Sequence, residues 1–419
     1  MPTITKPTFK LSVLAAALSP ALILLAPSIS YGADTIADAL KDGDTKFSFR
    51  LRHEDVDVDT HGQDSNAITL KSRATYTSGD FHGFGLTLEF DDVTSFTDDD
   101  EYNDTVNGTA KTPIIDPEGT EVNQVYLSYK IADTTVKYGR QRILLDNQRF
   151  VGGVGFRQNE QTYDGLSITN NSIENLTVFA AHITNVNRIF GESSANGDHH
   201  HDTNLLNVGY KTPIGKLVGY YYDIDNETSE AASSETFGIR FSGKTELDSL
   251  TLHYEAELAE QDEGNSDGTE YDADYAHIMG GITVAGITAK VGYESLGSDD
   301  GIKAFTTPLA TLHKFQGWTD QFAAVNPNEG TDDIYVSIST KIAGIKLAAV
   351  YHDLTANEDG NGNGIEDGDE YGTEIGFVAA TKFDNNVGLS LKYADFSEGD
   401  DSTGKTDVNK LWLTTTYSF

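Results

Sequence analysis

The chain holds nine arginines, and seven of them fall in its first two-fifths: Arg50, Arg52, Arg73, Arg140, Arg142, Arg149 and Arg157. A guanidinium offers five donors in a planar fork that fits a carboxylate or phosphate two-pronged. Several of them gathered in one place can bind and guide anions; they do not make or break bonds. Arg50 and Arg52 stand two apart in KFSFRLR, and Lys71 and Arg73 stand two apart in ITLKSRATY. A spacing of two puts side chains on one face of a strand, so each pair shares a face with its own strand's polar residues. The opposite faces carry Phe47, Phe49 and Leu51, and Ile68, Leu70, Ala74 and Tyr76. If the two strands are neighbours, four cations meet on one stretch of wall. Two readings of that wall stand side by side. The cations guide an anion, or they pair with acids of like parity such as Glu89, Glu255, Glu257 and Glu294.

Three further groups are candidates for chemistry. The stretch DGNGNGIEDGDE fits the spacing of a twelve-residue calcium loop, with Asp359, Asn361, Asn363, Asp367 and Glu370 as oxygen ligands and Gly364 at the sharp turn. Flanking segments with strand periodicity, and not helical periodicity, set a solvated acidic loop against calcium. The long connection 296–331 carries Leu309, Leu312, Phe315, Trp318 and Phe322 at near-helical spacing. Solvent loops seldom hold so many large apolar groups. Either it folds inward as a constriction, with Lys303, His313, Lys314 and Trp318 at the passage, or it packs over a rim. Three consecutive histidines, His199, His200 and His201, cannot all point one way from a strand, which argues against a tight metal site. Catalysis finds no signature: G-x-S-x-G, the P-loop and H-E-x-x-H are all absent, and the chain has no cysteine. No catalytic residue and no required cofactor are expected.

The elements that must hold these residues are strands. Two-residue alternation recurs from Lys46 to the end, in FGLTLEF, SLTLHYEAEL, ITAKVGY, DDIYVSIS, VGLSLKY and LWLTTTYSF among others. Counting the runs predicts about 18 strands, within 16–18. Connections alternate without a break between short (ADT, TPIG, VAG, IAG, DNN) and long (92–122, 143–160, 296–331). An antiparallel meander places every second connection at the same end, so one end carries tight turns and the other large loops. The loops 54–66, 92–122, 259–274 and 355–370 hold 27 of the 66 acidic residues and a single basic one, Lys111. Negative charge is concentrated at the long-loop end.

The N-terminus reads as a leader. Lys6 and Lys10 precede an apolar run from Leu11 to Ala26, and small residues follow, which predicts a signal peptide over 1–33 cleaved after Gly32 or Ala33. Without Lys6 and Lys10 the chain has 27 basic against 66 acidic side chains, or −39. Such charge disfavours nucleic acid as a partner. Hydrocarbon forces every backbone donor and acceptor to pair within the protein, so strands cross a bilayer only as a closed barrel. Residues 34–419 are therefore expected to form one outer-membrane β-barrel, apolar faces to lipid and lipopolysaccharide, polar faces to a water-filled lumen. The ending LWLTTTYSF, closed by Phe419, is similar to the signature of bacterial outer-membrane barrels, which implies hand-over to the barrel-assembly machinery.

The stretch GRQRILLDNQRFVGGVGFRQNE, with FSFRLRHEDVD before it and FTTPLATLHKFQGWTDQF after it, resembles the alginate-export-like family of outer-membrane proteins. The resemblance spans essentially the whole chain beyond the leader. It implies an 18-stranded passive channel in which Arg140, Arg142, Arg149 and Arg157 line or gate the conduit. The expected function is a porin-like outer-membrane channel of a Gram-negative cell, reached by the general secretory route. It would pass or export hydrophilic anionic solutes, alginate-like poly- or oligosaccharide among them. The alternatives are a general or cation-preferring porin, and a closed barrel that acts as receptor or adhesin through its acidic loops.

Overall fold

The computed structural model describes residues 32–59, 63–264, 269–322 and 326–419; the expected leader lies outside them except for its last two residues. Strand order follows chain order: β1 (Asp44–Val58), β2 (Ser65–Thr77), β3 (Phe84–Ser95), β4 (Gly119–Ile131), β5 (Thr134–Gln141) and β6 (Thr162–Asn170) open the sheet. Next come β7 (Leu176–Asn187), β8 (Asp198–Thr212), β9 (Gly215–Ile224), β10 (Ser234–Leu247), β11 (Leu250–Glu263), β12 (Asp272–Val284) and β13 (Ile287–Leu296). A two-residue hairpin, β14 (Ser298–Asp299) and β15 (Lys303–Ala304), interrupts the series. It resumes with β16 (Thr331–Ile342), β17 (Ile345–Thr355), β18 (Glu370–Lys382), β19 (Gly388–Glu398) and β20 (Val408–Ser418).

Eighteen of these form one sheet in which each strand pairs antiparallel with its neighbours in the series and β1 pairs with β20. The barrel is closed, as the alternation and the bilayer argument predict. At the seam, Phe47 and Phe419 exchange backbone hydrogen bonds of 2.9 and 3.0 Å, and their rings stack at 5.5 Å. No helix among the described residues is long and apolar enough to cross a membrane. The one α-helix among the described residues, α1 (Ile36–Lys41), is capped by Thr35 and lies under the short-turn end, where the Gly79 amide donates to the Ala39 carbonyl.

Side chains segregate by parity. Phe47, Leu51, Phe84, Phe90, Leu127, Leu258, Ile338, Leu391, Leu413 and Tyr417 stand exposed on the outside, as an apolar band for lipid requires. Arg52, Glu54, Lys71, Glu89, Asp91, Glu257, Glu294, Glu374 and Trp412 are buried on the inside. The eight short connections all lie at one end, with the nine long ones at the other. Two long loops, 142–161 and 297–330, turn into the lumen, and this is what buries so many polar wall residues.

A lumen belt tied to two inward loops

The belt begins with strand register. Arg50 of β1 lies opposite Lys71 of β2, and Ser48 lies opposite Arg73. On the next strand Arg73 faces Asp91 of β3. Cross-strand neighbours on one face are within reach of each other, so the four predicted wall cations do come together. They are not equivalent. Arg73 donates to Asp91 Oδ1 at 2.6 Å and to Glu160, with Glu89 at 3.6 Å. Arg50 meets no carboxylate among the described residues: it donates to Gln158 Oε1 and to the Gly155 carbonyl, both at 2.8 Å, and to the Arg157 carbonyl. Arg52 lies over the Phe156 ring at 4.2 Å and leaves its Nη1 without an acceptor. Lys71 is 7% exposed and takes part in no ion pair or hydrogen bond among the described residues.

Three of the four arginines from the family-like stretch bind the first inward loop to the wall, while Arg140 ties neighbouring strands of the wall together. Arg140, at the end of β5, pairs with Asp164 at 2.9 Å, and Glu192 lies at 3.4 Å. Arg142 reaches Glu160 with Nε at 2.9 Å and also contacts Glu89. Arg149 is fully buried and crosses the lumen to Glu294 of β13 at 2.8 Å. Arg157 holds Glu54 of β1 at 3.0 Å and Asp320 of the second loop at 3.3 Å. Of the acids named from the sequence, Glu89 and Glu294 thus pair with these arginines, while Glu255 and Glu257 take Arg240, the former at 2.7 Å. Burial works against the ionised form of Glu160. The hydrogen bond from Arg142 and the charges of Arg73 and Arg142 outweigh it and hold the carboxyl at about 2.

The second inward loop lies along the first. The Gly152 amide donates to the Leu309 carbonyl at 2.8 Å, and Thr311 donates back to the Gln148 carbonyl at 3.0 Å. Phe150, Phe305 and Leu309 pack with Tyr220, Tyr222 and Tyr275 of the wall, so one flank of the plug is apolar. On the other flank, Glu374 of β18 accepts from the Thr319 amide at 2.9 Å and from the Trp318 amide. Trp318 rests against Gly376, where a Cβ would come within 2.7 Å of the ring. His313 stacks on Phe156, donates from Nδ1 to Asp320 at 2.7 Å and accepts from Lys392 at 2.6 Å. Burial pushes its imidazole down to about 3, which keeps it neutral and suited to that double role.

Two residues expected at the constriction sit elsewhere. Lys303 is at the rim, donating to the Ala231 carbonyl at 3.0 Å and lying over the Tyr271 ring. Lys314 is exposed and donates to the Asn147 carbonyl at 2.8 Å. The reason is local: β14 and β15 make a hairpin that ends before the loop dives, and the turn at Leu312–Lys314 buries His313 while turning Lys314 out.

The loop at 356–369 does not gather a calcium cage. Asp359 caps the Asp367 amide at 2.9 Å, Asn363 donates to Glu329 at 2.5 Å, and Glu370 is already the first residue of β18. Among the described residues no three acidic or histidine side chains converge as metal ligands. Strand pairing at Glu370 leaves the loop no second helix to swing its last ligand inward. Sequence reasoning passed over Lys392, Lys410 and Arg240, all inward cations. Their strand parity was available as a signal; what was missing was the reach of the loops that meet them.

Two spaces flank the plug. One of about 870 Å³ on the long-loop side is lined by Arg157, His199, His201, His313, Asp320 and Lys410, among others. The other, of about 210 Å³, lies toward the short turns beside Lys137, Gln141, Arg142 and Ser167. The acid–base belt lies between them.

A family model described as alginate export matches residues 43–294. A comparison with curated proteins finds no match. Among solved structures, Pseudomonas aeruginosa OccK9 (OpdG) is similar with a TM-score of 0.71 at 15% identity, over 91% of this chain and 99% of that one. The outer membrane protein opdK of the same organism gives 0.70 at 13%, over 91% and 99%. OccD3 (OpdP) gives 0.68 at 14%, over 91% and 92%. At such identities the likeness is one of fold, an outer-membrane barrel.

Proposed function

This chain belongs to the alginate export family, and from that premise we propose that it is a porin-like channel for passive movement of hydrophilic anions across the outer membrane. The family and fold are those of outer-membrane channels, which are not enzymes. The observation that carries the anionic reading is one contrast within the belt. Arg73, Arg140, Arg142, Arg149, Arg157 and Arg240 are each paired with acids. Among the described residues, Arg50, Arg52 and Lys71, side by side on β1 and β2, meet no carboxylate within ion-pair distance. Asp116 of loop 96–118 acts on Arg50 and Arg52 and is fully buried, and burial pushes its carboxyl upward, toward the neutral form; Glu54, Asp91 and Glu160 lie near the three cations without pairing with Arg50, Arg52 or Lys71. Of these, Arg52 Nη1 and Lys71 have no hydrogen-bond acceptor among the described residues, and they offer a solute carboxylate a place to exchange its hydration for charge-assisted hydrogen bonds.

The plug bears on the size of that solute. Ion pairs tie it to β1, β3 and β13, and the spaces beside it have the volume of a short saccharide or a small acid. This favours short anionic solutes, uronate-like oligosaccharides included, over a continuous polymer. A second reading, a general or cation-preferring porin, draws on the balanced charges around Arg73 and the acidic outer loops. Planar-bilayer recording in a salt gradient separates the two. Replacing Lys71 and Arg52 by Gln should move the reversal potential toward cation preference. A wild-type pore that prefers cations at 1 M salt and ignores the double substitution would discard the anionic reading.

A further inference from the structure

We infer that Glu160 is a specificity-determining residue of the lumen, a carboxylate supplied by loop 142–161 that occupies the paired guanidinium groups of Arg73 and Arg142 and holds down the channel's preference for anions. The inference rests on the channel reading above. Glu160 Oε1 accepts from Arg142 Nε at 2.9 Å and from Asn123 Nδ2 at 2.6 Å, and it also takes Arg73 Nη2 and Arg142 Nη2. That geometry, one oxygen between two guanidiniums, is the one a solute carboxylate would adopt there.

The charge count makes Glu160 decisive. Arg73 and Arg142 share this stretch of wall with Glu89, Asp91 and Glu160, and the buried Lys71 lies beside them. Glu89 and Asp91 are wall residues of β3, fixed by strand register. Glu160 alone of the three comes from an inward loop. Without its charge the stretch becomes more positive by one unit and continuous with Arg50 and Arg52. Arg142 lines the space on the short-turn side, so the change faces permeating ions directly. An internal carboxylate in this position screens out simple anions while leaving the guanidiniums assembled for a solute able to compete for them.

The test uses the full chain in planar bilayers, with potassium chloride as the probe at a mean concentration of about 0.01 M, where the screening length is about 30 Å. Glu160→Gln keeps an acceptor oxygen for Arg142 and Asn123 and removes only the charge. A unit charge about 8 Å from a permeating ion in water changes local anion and cation concentrations in opposite directions by roughly twofold each. The chloride-to-potassium permeability ratio should therefore rise about fourfold. Glu366→Gln, on an exposed outer loop, should change it less. Arg142→Gln should shift it the opposite way, and the double variant Glu160→Gln with Arg142→Gln should return to the wild-type ratio, which a residue serving only as an anchor would not produce. If Glu160→Gln does not assemble into a heat-modifiable barrel, Arg142→Gln alone decides, and an unchanged ratio there overturns the inference. A conducting wild type with an unchanged Glu160→Gln ratio overturns it while the channel reading stands. A wild type that passes no current overturns both.

Discussion

Glu160 sits among donors that hold its carboxyl at about 2, and this has a measurable consequence. A carboxyl whose folded value is depressed contributes stability that is fully present above its unfolded value, about 4.3, and lost as pH falls through the folded value. The difference in thermal midpoint between the wild type and Glu160→Gln should therefore be constant from pH 7 to pH 5 and shrink between about pH 4 and pH 2. A difference that already disappears by pH 5 would mean that the ion pairs do not hold the carboxyl down. At this scale the sequence was partly legible. The parity of Arg50, Arg52, Lys71 and Arg73 follows from strand geometry, because a period of two leaves no choice of face. Which of them remain unpaired was not legible. Glu160 lies 87 residues from Arg73, and no local pattern indicates that a loop acid returns to that wall.

At the scale of elements, the two inward loops behave as one body, joined by backbone hydrogen bonds and anchored on opposite walls. The weakest place to test that docking is the contact of Trp318 with Gly376 of β18. A Cβ at Gly376 would lie 2.7 Å from the indole, closer than packed atoms tolerate, and overpacking of this kind costs roughly 1–3 kcal/mol unless the neighbour moves. Gly376→Val should displace the loop, since the barrel strand is held on both sides by ladders to β17 and β19. Single-channel conductance should rise and become noisier, with the barrel still heat-modifiable. Unchanged conductance would place loop 297–330 outside the path of the ions. The alternation of long and short connections was plain in the chain, and so was the apolar content of 296–331. The inward turn was one of two open readings, because Leu309 and Phe305 can be satisfied by any apolar surface.

Across the whole molecule, the acidic loops and the lumen cations act over different distances. The screening length is about 30 Å at 0.01 M salt and about 3 Å at 1 M. At low salt the long-loop acids reach incoming ions and depress anion entry; at high salt only charges lining the lumen remain in play. Anion preference, read as the reversal potential at a fixed concentration ratio, should therefore strengthen as the mean salt concentration rises. A preference that weakens with salt would mean that the outer loops, and not Arg50, Arg52 and Lys71, set the selectivity.

The barrel itself was determined by the sequence. Strand period, the long–short alternation of connections and an apolar parity such as Leu411, Leu413 and Tyr417 are local properties, and a bilayer admits one closed solution for them. The site was decided by tertiary structure. Arg149 meets Glu294 across 145 residues and Arg157 meets Glu54 across 103. Along 359–370 the calcium-like spacing ends on Glu370, which is the first residue of β18. Loops carry no period that would reveal their partners, so only the closed lumen, by bringing distant walls within one side chain's reach, determines which charges cancel and which stay open to a solute.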